Sequence, residues 1–185
     1  VGQYAAAVTL SQAWYFIPGI IGGSLFPAII NAKKINESLY YDRLQKLYDL
    51  MVILSFSIAI PMTFLSDWIV EFMYGKAFYL TGDVLSIHIW AGVFVFLGVS
   101  VSKWILAENL QRISSITLFI GMIANIVLNV IMIPKFGILG AAIATLISQS
   151  ISVLFAPLLF KKTRPSFFMM IKALSFSSVF KRIFR

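Results

Sequence analysis

Five stretches of this chain contain no Asp, Glu, Lys or Arg: residues 1–32, 50–66, 84–102, 113–134 and 136–160. Each is close to the roughly 20 residues that a helix needs to cross a hydrocarbon core about 30 Å thick. The buried helices of a soluble bundle would carry a polar stripe between their apolar positions, and these runs carry none. The pattern therefore predicts an all-α integral membrane protein with about five transmembrane helices, at residues 4–30, 48–66, 84–106, 113–134 and 137–160, and a basic tail at 161–185.

Breakers and amphipathic segments refine that outline. Pro18, Gly19, Gly22, Gly23 and Pro27 crowd the first span and predict a kink or local unwinding near its middle. Pro61 predicts a bend near the outer end of the second. Residues 31–47 set Ile35, Leu39 and Leu44 against Lys34, Glu37, Asp42 and Arg43, which reads as an amphipathic helix lying on the membrane surface. Residues 67–83 join Trp68, Ile69, Phe72 and Met73 to Asp67 and Glu71 before Gly75, the pattern of a short interfacial helix and turn. Residues 107–112 and 136–140 are expected as tight turns. The KKTRP segment at 161–165 stops transfer, and the tail beyond it reads as a surface helix with Phe168, Phe176, Val179, Phe180, Ile183 and Phe184 on one face, interrupted by Lys172.

Composition then excludes several function classes. The 185 residues are 60% hydrophobic and 12% charged, with a net charge of +8. Of the 15 Lys and Arg residues, all except Lys76 and Lys135 fall on one side if the spans alternate. By the positive-inside rule that side is cytoplasmic, so the C-terminus is cytoplasmic and Val1 lies on the outer face. The charge thus reports topology, and no nucleic-acid partner is expected. With no Cys and one His, thiol catalysis, disulfides and Cys/His zinc sites are excluded. No cleavable signal pattern opens the chain, which is expected to begin mid-protein. Asp67, Glu71, Asp83 and Glu108 occupy helix ends or loops without acid–base spacing, and no G-x-x-x-x-G-K loop exists, so neither catalysis nor a cofactor is expected.

Polar groups inside hydrocarbon are costly unless partnered, and so mark either helix contacts or a transport path. Asn125 and Asn129 lie four residues apart on one helical face with Gly121, and read either as interhelical hydrogen-bond glue or as lining of a polar cavity. Gly137, Gly140, Ala141, Ala144, Thr145 and Ser148 form a small-residue stripe suited to close packing, and Gln149 needs a partner or a wet cavity. Gln12, Trp14, Ser100 and Ser102 are weaker candidates of the same kind. Lys103 either snorkels to the cytoplasmic interface or attracts an anionic headgroup entering from that side. His88 reads as an interfacial residue or a proton carrier.

Three blocks carry a family resemblance. NIVLNVIMIPKFGILGAAIAT at 125–145 resembles the last two helices of polysaccharide transporters in the multidrug, oligosaccharidyl-lipid and polysaccharide exporter superfamily, in particular the O-antigen flippase-like branch. GQYAAAVTLSQAWYFIPGIIGGSLFPAI at 2–29 looks like that family's eighth helix, and DWIVEFMYGKAFY at 67–79 like the outer segment after its ninth. The resemblance implies two six-helix lobes that rock around a central cavity and expose it to each face in turn, with this chain supplying five helices of the C-terminal lobe. It implies movement of an undecaprenyl-pyrophosphate-linked oligosaccharide from the cytoplasmic to the periplasmic leaflet of the bacterial inner membrane. Implied partners are the lipid-linked substrate, membrane lipids, the N-terminal lobe of the same transporter, and the polysaccharide polymerase and chain-length machinery. Gln12, Lys103, Asn125, Asn129 and Gln149 are the substrate-path candidates. Cation-coupled drug efflux is the alternative within the superfamily, but it calls for membrane-embedded carboxylates, which the five charge-free runs lack. A membrane enzyme of polysaccharide assembly would need a large charged outer loop, and residues 67–83 hold one Lys and no Arg. A scaffold of five packed helices is the remaining reading.

Overall fold

The computed structural model describes residues 2–175, and every regular element among them is helical. Helices α1 (Gly2–Gln12) and α2 (Phe16–Ile35) make one apolar unit, α3 (Glu37–Tyr74) a second, and α4 (Thr81–His88) with α5 (Ala91–Ala107) a third. The fourth is α6 (Gln111–Ser150), extended by a π turn at Ile151–Phe155 and a 3-10 turn at Ala156–Leu159. All four are long and apolar enough to cross a membrane. The chain is a multi-pass membrane protein.

Drawn straight, the 49 residues of the fourth unit would reach about 74 Å, more than twice the hydrocarbon thickness. They fold back instead at Gly137, whose φ of 58° and ψ of −135° suit glycine and would strain any residue with a Cβ. Asn125 Nδ2 donates to Ser148 Oγ at 3.0 Å and Ser152 Oγ to the Thr117 carbonyl at 3.2 Å, so the two limbs run antiparallel. Gly140 lies so close to the Met132 carbonyl that a Cβ would collide with backbone. The hairpin gives five apolar limbs in all, and α7 (Arg164–Leu174) closes the described chain. Of the tail residues expected on one face, Phe176, Val179, Phe180, Ile183 and Phe184 lie outside the described residues.

Several local expectations need correction. The first unit is interrupted at residues 13–15, before its cluster of breakers, while α2 runs on through Pro27. Pro18 explains the position, because its ring clashes with the carbonyl four residues earlier and so disrupts the turn at Trp14. Residues 31–47 are not a separate surface helix. They divide at Asn36 between the end of α2 and the start of α3, with the Asn36 side chain accepting from Ser38 N at 2.7 Å as an N-cap. Tyr40, Leu44 and Leu47 are buried in the bundle, not laid on lipid. Residues 67–74 likewise continue α3 without a break, until Gly75 ends it at φ 77°.

Helices α3, α4 and α5 form the centre of the bundle, where Leu44, Tyr48, Met51, Leu85, Leu97 and Trp104 are fully buried. Two sets of long-range bonds mark opposite ends. At one, Gln3 joins the 76–81 connection by bonds to Ala77 O, Leu80 N and Thr81 Oγ1. At the other, Lys33 bonds Ala107 O at 2.7 Å, Gln45 bonds Met169 O at 3.2 Å, and the Tyr48 and Ser166 hydroxyls meet at 2.8 Å. Of the 12 Lys and Arg among the described residues, all but Lys76 and Lys135 belong to connections at this second end or helix turns leading into it.

Candidate functional site

The middle of the α6 hairpin carries a polar strip between its two limbs. Asn129 Nδ2 donates to Asn125 Oδ1 at 2.9 Å, one helical turn apart, and Asn125 passes the chain across the hairpin to Ser148. Ser148 Oγ in turn donates to Thr145 O at 3.0 Å. Close approach here depends on Gly121, where a Cβ would strike Ser152. Beside the strip lies an open cavity of about 310 Å3, lined on its polar side by Asn125, Thr145, Ser148, Gln149 and Ser152. Gln149 is half-buried and makes no hydrogen bond with the described residues, so its amide keeps its capacity for a ligand or water.

The strip continues into the first helix. The Tyr4 hydroxyl lies 3.4 Å from Thr145 Oγ1, and the Tyr4 ring meets His88 edge-on at 6.1 Å. His88 is 3% exposed, with Nδ1 2.9 Å from Ser11 Oγ. A series of polar groups thus runs from α1 and α4 to both limbs of α6. An unpartnered polar group is expensive there, and each of these groups offsets that cost with a neighbour.

The five candidates separate into groups. Asn125, Asn129 and Gln149 come together on the hairpin. Gln12 is exposed at the C-terminal end of α1, where the chain breaks. Lys103 is half-buried on α5, with its stem against Gly22 and its ammonium 5.3 Å from the centre of the Phe26 ring, a cation–π arrangement with α2. Among the described residues Lys103 has no carboxylate partner.

Sequence reasoning missed two groupings. Asp49 is 2% exposed and accepts from Gln45 Nε2 at 2.8 Å, a carboxylate buried at the start of the second apolar stretch. Its single charge beside a charge-free run was the available signal. The other is the clasp of Lys33, Tyr40 and Glu108. Lys33 Nζ donates to Glu108 Oε1 at 2.8 Å, and the Tyr40 hydroxyl donates to the same oxygen at 2.7 Å. Burial raises the Glu108 carboxyl, but the hydrogen bonds from Lys33 and Tyr40 and the Lys33 charge outweigh it and hold it below the usual carboxylate range. Residues 75 positions apart leave no local pattern to read.

Residues 5–182 match the family described as lipid II flippase MurJ. Two curated proteins of Haloferax volcanii are also similar. The probable low-salt glycan biosynthesis flippase Agl15 is 25% identical over 156 residues, 82% of this chain and 32% of that protein. The probable flippase AglR is 27% identical over 162 residues, 84% of this chain and 33% of that protein. The chain therefore spans about a third of the length of the curated relatives it matches. No solved structure matches it significantly.

Proposed function

This chain belongs to the lipid II flippase MurJ family, and on that premise we propose that it forms part of one lobe of a transporter that turns a lipid-linked glycan from the cytoplasmic to the outer leaflet. The reading is transport by alternating access, in which no covalent bond is made or broken. The Lys- and Arg-rich end faces the cytoplasm, as the positive-inside rule requires. The partner is a second lobe of the same transporter. The cavity between the lobes would hold the sugar and pyrophosphate while the lipid tail stays in the bilayer.

One observation carries this reading: the strip of Asn125, Asn129, Thr145, Ser148 and Gln149 beside an open cavity, set in the middle of a largely apolar hairpin. Amides and hydroxyls suit a sugar's hydroxyl groups, which both donate and accept, better than fixed charges would. Gln149, with its open hydrogen-bonding capacity, is the residue assigned to the substrate path. Lys103 is assigned to the cytoplasmic approach, where a half-buried cation without a carboxylate partner attracts the pyrophosphate. For the cargo, an undecaprenyl-pyrophosphate-linked polysaccharide repeat of the O-antigen type is preferred over lipid II. Both curated relatives are named probable flippases, and the name of one refers to low-salt glycan biosynthesis, which supports a glycan cargo.

The chain has no cysteine, so single cysteines at Asn125 and Gln149 report access to water without background. In sealed membrane vesicles of each orientation, both positions should react with a membrane-impermeant thiol reagent, and a lipid-linked oligosaccharide should slow that reaction more than lipid II does. Val130→Cys, at a position 70% exposed on the apolar face of α6, should stay unreactive. If Asn125→Cys and Gln149→Cys resist the reagent from both sides while the loop control Ala77→Cys reacts, the strip is helix glue and the path lies elsewhere.

A further inference from the structure

The segment after the last apolar limb has an unusual charge distribution for a piece of folded surface. Residues 161–185 hold seven Lys or Arg and no Asp or Glu. The described part is a 3-10 turn at Lys161–Thr163 followed by α7. Its inner face, Ser166, Met169, Met170 and Ala173, is buried, and is pinned to α3 through Gln45 and Tyr48. The outer face is neither plainly polar nor plainly apolar. Phe168 is 64% and Ile171 43% exposed, and Arg164 and Lys172 flank them on the same side of the helix. Lys161 and Lys162 are exposed at the turn that leads in.

Two features select the occupant of this face. One is level: α7 is fastened to the first turns of α3 at the cation-rich end of the bundle, immediately after a limb that leaves the hydrocarbon. A helix held there lies at the headgroup region, where large apolar side chains and cations are both accommodated. The other is charge complementarity, since Lys161, Lys162 and Arg164 stand together without an acidic residue in their own segment. Asp42 of α3, which borders a groove beside this face, is bridged by Lys46 at 2.9 Å, so its charge is offset. The groove, about 420 Å3 and bordered by Tyr41, Asp42, Gln45, Phe168, Met169 and Lys172, offers room for a headgroup whose ammonium or hydroxyl groups can meet Asp42 while its phosphate meets the cations.

We propose that the outer face of α7 is a docking surface for anionic phospholipid of the cytoplasmic leaflet, with Phe168 and Ile171 inserted at the acyl boundary and Lys161, Lys162 and Arg164 on the phosphates. Docking fixes α7, and through Gln45 and Tyr48 it fixes the cytoplasmic end of α3 at the bilayer surface. The lobe then has a lipid-anchored edge against which its other helices move.

The absence of cysteine makes the test direct. The full chain carrying Ile171→Cys, labelled with an environment-sensitive dye, is reconstituted in vesicles of phosphatidylcholine with or without phosphatidylglycerol, each with acyl chains brominated or plain. The dye should emit to the blue and be quenched by brominated chains when phosphatidylglycerol is present, and lose most of both responses in phosphatidylcholine alone. Each Lys near an anionic surface shifts such an equilibrium roughly fivefold, so K161Q with K162Q should lower the docked-to-undocked ratio about 25-fold. Salt near 1 M, where the screening length is about 3 Å, should reproduce that loss in the unsubstituted chain. Two results would overturn the proposal. Quenching that is equal in both lipids and indifferent to K161Q/K162Q would mean that Phe168 and Ile171 insert without recognising charge. A blue-shifted dye that brominated chains do not quench would mean that protein covers the face.

Discussion

The α4–α5 unit and the α6 hairpin are almost equally apolar in sequence, yet the lobe uses them in opposite ways. In the unit Thr81–Ala107, 61% of the most apolar stretch is buried inside the protein, against 11% in Gln111–Leu159. A water-soluble protein could not leave the second surface bare. In a membrane, hydrocarbon is as good a solvent for Leu as a protein interior, so apolarity does not distinguish core from periphery. What distinguishes them is shape and polarity. The hairpin turns inward the residues that are small or polar, Thr117, Gly121, Gly140, Ala142, Ala144, Ser148 and Ser152, and leaves Leu118, Phe119, Ile126 and Val130 outside.

The sharpest way to break this comparison is to truncate one large apolar side chain in each region. Leu97 in α5 is fully buried, whereas Val130 in α6 is 70% exposed. Leu97→Ala leaves a void whose lining loses its packing contacts, and should cost about 2 kcal/mol or more. Val130→Ala merely exchanges one lipid contact for another and should fall within about 0.5 kcal/mol of the parent. Unfolding by a denaturing detergent from a mild one measures both. Comparable losses would show that the outer face of α6 packs as a core does.

A smaller effect sharpens the same contrast from the side of the small residues. Gly140→Leu would drive a side chain into the Met132 backbone, which has no rotamer to yield, and should cost about 1–3 kcal/mol or splay the hairpin. A Cβ at Gly23 meets nothing within 4 Å, so Gly23→Leu should be close to neutral in the same detergent titration. If both substitutions were silent, the tight turn at Gly137 would not require close approach of the two limbs.

Much of this architecture was legible because runs of about 20 residues without charge mark the stretches that can lie in hydrocarbon. The five charge-free runs correspond to the five apolar limbs, and the turns at 107–112 and 136–140 fall where expected. Helix continuity was harder to read. Gly75 stops α3 because its φ is positive, but nothing in Asp67 or Glu71 breaks the helix before it, so a change in polarity was mistaken for a change in structure. Similarly, Pro18 shifts the break in the first span upstream of the glycines, because a proline acts on the turn before it. For the site, the i,i+4 spacing of Asn125 and Asn129 announced one face of a helix. Their link to Ser148 needed the hairpin, and Tyr4, more than 140 residues from Thr145, needed the whole fold.

The smallest expected effect lies at the Lys- and Arg-rich end, where α2, α3 and the loop after α5 meet in the clasp of Lys33, Tyr40 and Glu108. Unlike the hairpin's neutral strip, this contact carries charge and is therefore open to titration. Glu108 has its carboxyl held below the usual range in the folded lobe. A group of that kind contributes stability fully present above its unfolded pKa, about 4.3 for Glu, and lost as pH falls through the lower folded value. Stability should accordingly carry the full Glu108 contribution, without pH dependence from this group, between pH 6 and 8, and a decline in acid that Glu108→Gln removes. The pair is partly solvated, with side chains 38% and 27% exposed, so the decline should be shallow and flatten further in high salt. Thermal unfolding of the parent and Glu108→Gln proteins across that range decides it. Parallel profiles would mean that the clasp contributes geometry alone, with Lys33 acting by capping the last carbonyl of α5 and not by its charge pair.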